Sequence, residues 1–219
     1  MTNVLSLDRQ QIIRQAIEEF RNGQFLLVSD DEGRENEGDL IVAAEHATPE
    51  AINFMITHGR GLVCLAISEE IAKKKQLSPM VQDNKDHMVT AFTASVDATL
   101  EYGVTTGIST WDRAKTIEVI IGDEYSPQAL QAPGHMFPLV AKNGYLATRQ
   151  GHTEAGVELC RLAGLENEAA VIVEVICENG EMARRPDLIE MSKEFGISYI
   201  TIEELCLYIE QVEHTCAAA

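Results

Sequence analysis

A ten-residue acidic segment, residues 30–39, constrains the fold of this chain more than any other part of the sequence. Its sequence is DDEGRENEGD, so six carboxylates and one arginine lie close together. The flanking apolar runs, residues 25–28 and 40–44, have the length and composition of buried β-strands. Like charges at this density repel one another unless something positive lies among them. We expect a strand connection that holds a divalent ion or a cationic side chain, or that serves proton transfer; a solvated acidic turn is the alternative.

The rest of the chain mixes helical and extended patterns without strict alternation. Apolar spacing and capping residues predict helices at about 8–22, 49–59, 114–121, 154–163 and 186–195, and a last helix after the capping box at 201–204. Strands are predicted at 25–28, 40–44, 62–67, 92–96, 170–177 and 197–200. Loops are expected at 76–90, 103–109 and 131–138, the last broken by Pro and Gly. These patterns predict an α+β fold, with a mixed β-sheet flanked by helices in a single domain over residues 1–219. Its core is expected at about 8–212, before a short disordered tail.

The net charge of the 219-residue chain is −18, which argues against nucleic acid as a partner. Binding to nucleic acid requires Lys and Arg against phosphate, and an anionic membrane surface is disfavoured for the same reason. No signal peptide or membrane-spanning run is recognisable in the sequence. The five cysteines are irregularly spaced, which favours free thiols and a cytoplasmic protein.

The acidic segment does not have the spacing of an EF-hand calcium loop. Neither of its acidic starting positions, Asp30 or Asp31, puts glycine at the required sixth place. In an extended chain, however, Glu35, Glu37 and Asp39 point to the same side. Without a partner they would raise one another's pKa values, whereas a divalent ion would hold them ionised.

A second candidate segment, residues 149–153 with the sequence RQGHT, directly precedes a predicted helix. Thr153 is the expected N-cap of that helix. Free backbone N–H groups and the positive end of the helix favour an anion there, and Arg149 adds a guanidinium, so phosphate fits best. His152 is available as a ligand, or it only caps or packs the turn.

Two further titratable residues stand in unusual surroundings. Glu174 lies at the centre of an apolar strand, where burying it unpaired is costly, so it faces solvent, pairs with a cation or lies in a site. His135 follows Pro133 and Gly134 in a predicted loop. An imidazole presented there suits an acid–base or anion-binding role, and an ordinary surface histidine is the alternative.

The motifs taken together resemble the 3,4-dihydroxy-2-butanone 4-phosphate synthase family of riboflavin biosynthesis. They are RENEGD at 34–39, GVTTGIS at 103–109, APGH at 132–135 and RQGHTEA at 149–155. The resemblance runs from the first helix to about residue 212. It implies a lyase that converts D-ribulose 5-phosphate to L-3,4-dihydroxybutan-2-one 4-phosphate and formate, with Mg²⁺ or Mn²⁺. A GTP cyclohydrolase II domain follows in some relatives, and the length here implies the monofunctional form.

The resemblance also assigns roles to residues of this chain. Glu35 and His152 are the implied metal ligands, and His135 and Glu174 are implied to be essential to catalysis. Substrate contacts are expected from Arg34, Glu35, Asp39, Arg149, Gln150, Gly151, His152, Thr153 and Glu174. The several proton transfers of such a reaction make Asp30, Glu37 and Asp39 candidates for that work. In this family His135 reaches a site in the partner subunit, so the implied assembly is a homodimer with shared active sites.

Two alternatives use similar residues. A metal-dependent sugar-phosphate isomerase or aldolase would need the same kind of site, but an isomerase releases no formate. A metal-binding module without turnover would keep every measurable property in Glu174→Gln and His135→Ala variants.

Overall fold

The computed structural model describes the backbone of residues 5–217 and the side chains of residues 5–211. Its α-helices are α1 (Leu7–Arg21), α2 (Pro49–Phe54), α3 (Glu69–Lys74), α4 (Thr110–Ile121), α5 (His152–Ala163), α6 (Arg185–Phe195) and α7 (Ile202–Ala217). Its strands are β1 (Leu26–Ser29), β2 (Gly38–Ala43), β3 (Cys64–Ile67), β4 (Val96–Ala98), β5 (Leu130–Val140), β6 (Ala169–Glu174) and β7 (Ser198–Thr201).

The strands form one seven-stranded mixed sheet in the order β4-β5-β3-β6-β2-β1-β7. Strand β1 pairs in parallel with β7, and β3 pairs in parallel with β5. The other neighbouring strands of the described sheet pair antiparallel. The predicted α+β fold with a mixed sheet flanked by helices is therefore confirmed.

Alternating side chains give the sheet a hydrophobic core on each face, because successive residues of a strand point to opposite sides. Val28 and Ile41 pack in one core together with residues of α1, α5 and α7. Their neighbours Leu27 and Leu40 pack in the other core with residues of α2, α4 and α6. Both faces of the central strands are buried, which explains why the strands read as continuous apolar runs in the sequence.

Several helix ends follow from local sequence. The Thr48 side chain accepts a hydrogen bond at the start of α2, and Ser109 does the same at the start of α4. The predicted capping box begins α7, because Glu204 N–H donates to Thr201 Oγ1 and Thr201 N–H donates to Glu204 Oε2, each at 3.1 Å. Polar residues before apolar runs therefore mark where these helices start.

The expected loop at residues 131–138 is wrong, because this stretch belongs to the long strand β5. The register on β4 jumps between Val96, which pairs with Met136, and Asp97, which pairs with Gln131. Residues 132–135 form the bulge between these pairs, so Pro133 interrupts no ladder there. The predicted strand at 92–96 is correspondingly reduced to isolated bridges before β4.

Other boundaries also differ from the sequence expectation. Helix α3 lies in a stretch where no element was predicted, and the helix predicted to Gly59 changes to π-helical turns from Met55. The backbone of α7 continues to Ala217, beyond residue 212, where the core was expected to end. Residues 218 and 219 of the predicted tail lie outside the described chain. Within the described residues, none of the helices combines the length and the apolar character needed to cross a bilayer.

The central strand β3 provides a test of the two-core arrangement. Leu65 is fully buried there, so Leu65→Ala should lower the free energy of unfolding by about 2–5 kcal/mol through lost burial and a residual cavity. The control Leu7→Ala removes a side chain that is 82% exposed and should change it by less than about 0.5 kcal/mol. Urea unfolding followed by circular dichroism measures both. Equal effects of the two variants would contradict the assigned core.

Candidate active site

The acidic segment and the RQGHT segment meet at one end of the sheet. Strand β1 leads into the acidic segment, β2 leaves it, and α5 begins within the RQGHT segment. They enclose a cavity of about 120 Å³. Eight of the residues expected in the site line it, namely Arg34, Glu35, Glu37, Asp39, Arg149, His152, Thr153 and Glu174. The segments singled out in the sequence are thus brought together by the fold.

The buried carboxylate of Asp30 organises the acidic segment. Its Oδ1 accepts the backbone N–H of Glu37 at 2.8 Å, and its Oδ2 accepts the N–H of Glu35 at 3.0 Å. The Arg34 guanidinium donates to Asp30 Oδ2 at 2.9 Å and also to Glu35. Asn36 takes the left-handed conformation that tightens the turn, with φ of 56°. The segment therefore contains the cationic side chain that its charge density led us to expect.

Three residues of the site offer ligand atoms within 4.8 Å of one another, and they are Asp30, Glu35 and His152. His152 Nε2 donates to the Val28 carbonyl at 3.1 Å, which leaves Nδ1 unprotonated in the neutral ring. That nitrogen lies 3.9 Å from Glu35 Oε2 and 3.8 Å from Asp39 Oδ1. Burial lowers the pKa of His152 and so favours the neutral form that binds metals.

Asp39 is the most strongly perturbed carboxyl of the site. It is 3% exposed, and its Oδ1 has no hydrogen-bond partner among the described residues. Burial first, and then the charges of Glu174 and Glu35, raise its pKa well above the usual carboxyl range. Burial and the charge of Glu35 also raise the pKa of Glu37. Carboxylate oxygens beside one imidazole, with an unpaired buried oxygen, fit a divalent cation.

Glu174 lies at the end of β6, opposite Asp39, and not at the centre of a longer strand as the sequence suggested. After Glu174 the chain forms only isolated bridges, at Val175 and Ile176. Glu174 Oε2 accepts the Leu62 N–H at 2.8 Å. A Cβ on Gly61 would lie 2.5 Å from that oxygen, so glycine is needed for this close approach. Glu174 therefore faces the cavity with one oxygen anchored by the backbone.

Arg149 is held at the cavity by a carboxylate that the sequence analysis missed. Its Nη1 donates to Glu154 Oε2 at 2.5 Å, and Glu154 is 1% exposed. Its Nη2 donates to the Met88 carbonyl at 3.2 Å. Glu154 directly follows RQGHT in the sequence. An acidic residue this close to Arg149 was the signal that could have indicated the ion pair. Helix α5 starts at His152 after Gly151, so the predicted N-cap role of Thr153 is wrong.

Two expected site residues lie elsewhere in the described chain. Gln150 lines a neighbouring cavity of about 570 Å³, which it shares with Arg34 and Met88. His135 is not among the residues that line either cavity of its own chain. Instead its Nδ1 lies 2.7 Å from Oδ2 of Asp97, a residue that the sequence analysis did not single out.

Bacterial riboflavin biosynthesis proteins are similar to this chain over most of its length. Proteins called riboflavin biosynthesis protein RibBA from Bacillus mycoides and Bacillus cytotoxicus are 52% and 50% identical to it over 196 residues. That alignment covers 90% of this chain and 48% of each relative. The chain therefore spans about half the length of these relatives. The expected form without a second catalytic domain stays a prediction.

Solved structures of the same kind share the fold. A 3,4-dihydroxy-2-butanone 4-phosphate synthase in complex with two magnesium ions is 40% identical, with a TM-score of 0.86 over 92% of this chain and 97% of that one. The Candida albicans synthase is 43% identical, with a TM-score of 0.81 over 94% and 99%. A two-domain synthase from A. baumannii, RibBX, is 45% identical, with a TM-score of 0.84 over 88% and 56%.

The crowded carboxylates predict an unusual effect of pH on stability when metal is removed. The folded-state pKa of Asp39 lies above its unfolded value. The contribution of this group to the free energy of unfolding is therefore most favourable below the unfolded pKa and falls as the pH rises towards the folded pKa. In EDTA, Asp39→Asn should therefore be more stable than the wild type at neutral pH, by about 1–3 kcal/mol. The gain should shrink as the pH falls and be smallest below about pH 4, where the wild-type carboxyl is protonated in both the folded and the unfolded state. Urea unfolding at several pH values measures this, and a loss of stability at all of them would contradict it.

A family model supplies the remaining comparison. Residues 14–208 match the model described as 3,4-dihydroxy-2-butanone 4-phosphate synthase. This match includes the acidic segment, the RQGHT segment and every strand of the sheet. The chain belongs to the 3,4-dihydroxy-2-butanone 4-phosphate synthase family.

Proposed function

We propose that this protein is a lyase that converts D-ribulose 5-phosphate to L-3,4-dihydroxybutan-2-one 4-phosphate and formate in riboflavin biosynthesis. The observation that carries the proposal is the cavity in which acidic side chains, His152 and Arg149 converge. Membership of the synthase family and similarity to proteins named for riboflavin biosynthesis support it.

A divalent cation is the proposed cofactor, with Mg²⁺ as the first choice and Mn²⁺ as the second. Glu35 and His152 would hold it, and Asp30 lies close enough to contribute a third ligand atom. Bound there, the ion supplies Lewis-acid stabilisation of negative charge on neighbouring sugar oxygens. Carboxylate ligands suit Mg²⁺, whereas the imidazole of His152 also suits Mn²⁺.

Proton transfer is assigned to the carboxyl groups that face the cavity. Enolisation, loss of a hydroxyl and loss of formate each move protons, so several groups are needed. Burial and neighbouring carboxylates raise the pKa values of Glu37 and Asp39, which makes each of them a better proton donor than an ordinary carboxyl group. Glu174 adds a further carboxylate, of which one oxygen, Oε2, accepts the backbone N–H of Leu62. Asp30 accepts hydrogen bonds at both oxygens, which better suits holding the turn and contacting the ion than proton transfer.

The substrate phosphate is assigned to Arg149 and the start of α5, with Thr153 beside it. The first N–H groups of that helix and the guanidinium attract an anion to a protein whose net charge is otherwise −18. The buried ion pair with Glu154 keeps the guanidinium in place, so binding costs little reorganisation. Arg34 and Gln150 would then contact the sugar from the adjoining cavity.

A small-molecule substrate and a cytoplasmic location complete the proposal. The cysteines whose side chains are described, Cys64, Cys160, Cys177 and Cys206, are all free thiols. Free thiols are usual in a reducing compartment.

Formate release tests the reaction and the ion together. The protein with ribulose 5-phosphate and Mg²⁺ should release formate, EDTA should abolish the release, and added Mg²⁺ or Mn²⁺ should restore it. Glu35→Gln should lower kcat by roughly a hundredfold or more and remove the rise in melting temperature that Mg²⁺ gives the wild type. Glu32→Gln, at an exposed carboxylate of the same segment, is the matched control and should behave as wild type. A product isomer without formate would instead indicate a sugar-phosphate isomerase.

We further propose a homodimer in which His135 of one protomer completes the cavity of the other. His135 is not among the residues that line the cavity of its own chain, which supports a role for this side chain in the cavity of a second protomer. Large apolar side chains near the 103–109 loop are exposed, with Leu100 at 75%, Ile108 at 55% and Trp111 at 69%. Exposed apolar groups of this size are typical of a protein contact surface.

Complementation between two inactive variants tests the shared site. His135→Ala and Glu35→Gln should each be nearly inactive alone. After subunit exchange in equal amounts, half of the dimers are mixed, and each mixed dimer has one intact site. Activity should then recover to about a quarter of the wild-type value per site. If His135 serves its own chain, every site stays defective and formate release does not recover.

A further inference from the structure

The imidazole of His135 is held from the neighbouring strand by the carboxylate of Asp97. Asp97 Oδ2 lies 2.7 Å from His135 Nδ1, and Asp97 Oδ1 accepts the backbone N–H of His135 at 2.8 Å. The Asp97 side chain is 5% exposed, whereas the His135 side chain is 45% exposed. The carboxylate is therefore a buried anchor, and the imidazole is the accessible end of the pair.

This geometry determines which ring nitrogen is free. An ionised carboxylate only accepts hydrogen bonds, so His135 Nδ1 must carry the proton that lies between the two side chains. In the neutral ring Nε2 then keeps its lone pair. The second Asp97 oxygen accepts the backbone N–H of His135, which fixes the position of the carboxylate. An imidazole ring turned by half a rotation would therefore lose its hydrogen bond to Asp97. A carboxylate that orients a histidine in this way is a recurring arrangement in acid–base catalysis.

The 103–109 loop closes over the pair, although the cavity itself makes no use of this motif. Gly107 has φ of 89°, and a Cβ there would overlap Asp97 Oδ2 and lie 2.5 Å from His135 Nδ1. Asp112 fixes the loop, because its carboxylate accepts the N–H and the hydroxyl of Thr105 and the N–H of Gly107. The loop thus covers the hydrogen bond between the two side chains and excludes a competing side chain.

The bulge in β5 brings the two strands close enough for this contact. A Cβ on Gly134 would overlap the backbone of Val96 and Asp97, so only glycine permits this approach. The Gly134 N–H donates to Ser95 Oγ at 3.2 Å. Ser95 directly precedes β4, so this hydrogen bond helps to hold the bulge next to that strand. The Pro-Gly stretch before His135 therefore places its imidazole against Asp97.

We propose that Asp97 is a positioning residue for His135: it holds the imidazole as the Nδ1–H tautomer and directs Nε2 outward as the nitrogen that exchanges protons with the substrate. The inference rests on the proposed function, in which His135 acts on ribulose 5-phosphate. It assigns a role to a residue that lies outside the cavity and to the 103–109 loop that covers it.

The tautomer itself is measurable without an activity assay. In protein labelled with ¹⁵N-histidine, the ring nitrogens of His135 are assigned by their loss in a His135→Gln variant. At a pH where the ring is neutral, the wild type should show a protonated Nδ1 and an unprotonated Nε2. A wild-type ring protonated at Nε2 would overturn the proposal, and this result needs no measurement on an Asp97 variant.

Kinetics of Asp97→Asn test the consequence. The amide keeps the size of the side chain, and when its oxygen accepts the backbone N–H, its NH₂ group faces Nδ1 and stabilises the opposite tautomer. We expect kcat to fall by roughly a hundredfold or more, with KM within about threefold, because substrate binding lies elsewhere. The melting-temperature shift with Mg²⁺ should persist, and the spectrum should show the inverted tautomer. Asp123→Asn, at an exposed aspartate, is the control and should match the wild type in all three measurements.

The outcomes separate the two proposals. A wild type that releases no formate defeats the proposed function, and the spectrum still decides whether Asp97 sets the tautomer. An active wild type together with an Asp97→Asn variant of unchanged kcat defeats the role of Asp97 alone.

Discussion

Crowding of carboxylates at one end of the sheet is the constraint on which the candidate site depends. Antiparallel pairing of β2 with β6 puts Asp39 opposite Glu174, and the turn before β2 brings Glu35 and Glu37 to the same cavity. The apolar packing of the strands on both faces holds this arrangement despite the repulsion. Arg34 offsets part of the charge, yet the buried Asp39 oxygen keeps no hydrogen-bond partner in the described chain. The fold thus maintains a site whose charge favours a cation.

Much of this arrangement was predictable because it is encoded in local patterns. The apolar runs on both sides of the acidic segment predicted β1 and β2. Glu35, Glu37 and Asp39 line one cavity as expected, although a turn with Asn36 in the left-handed conformation brings them there and not the extended chain that the prediction assumed. The segment before α5 was recognisable as a helix start with an arginine and a histidine. Proximity of the two segments followed only from the family resemblance, since nothing in either segment alone specifies the other.

The parts that escaped prediction depend on contacts between distant residues. The Pro and Gly residues of β5 predicted a loop, because both residue types usually interrupt strands. The strand accommodates them where its register on β4 shifts, and no local sequence pattern indicates such a shift. Asp97 was missed for the same reason, because it lies far from His135 in the sequence and approaches it only through strand pairing. Glu154 is the exception, since it lies only five residues from Arg149, and its ion pair depends on how the chain turns into α5.

The pairing of distant strands also has a consequence for folding. Asp39 meets Glu174 only when β2 has paired with β6, and β1 is completed only by β7 near the end of the described chain. Such long-range pairings form late, because the intervening loops must first be closed. In the unfolded chain Asp39 and Glu174 are separated and solvated. Their mutual repulsion is therefore a property of the native state alone, and a cation that relieves it acts as a selective ligand of the folded chain.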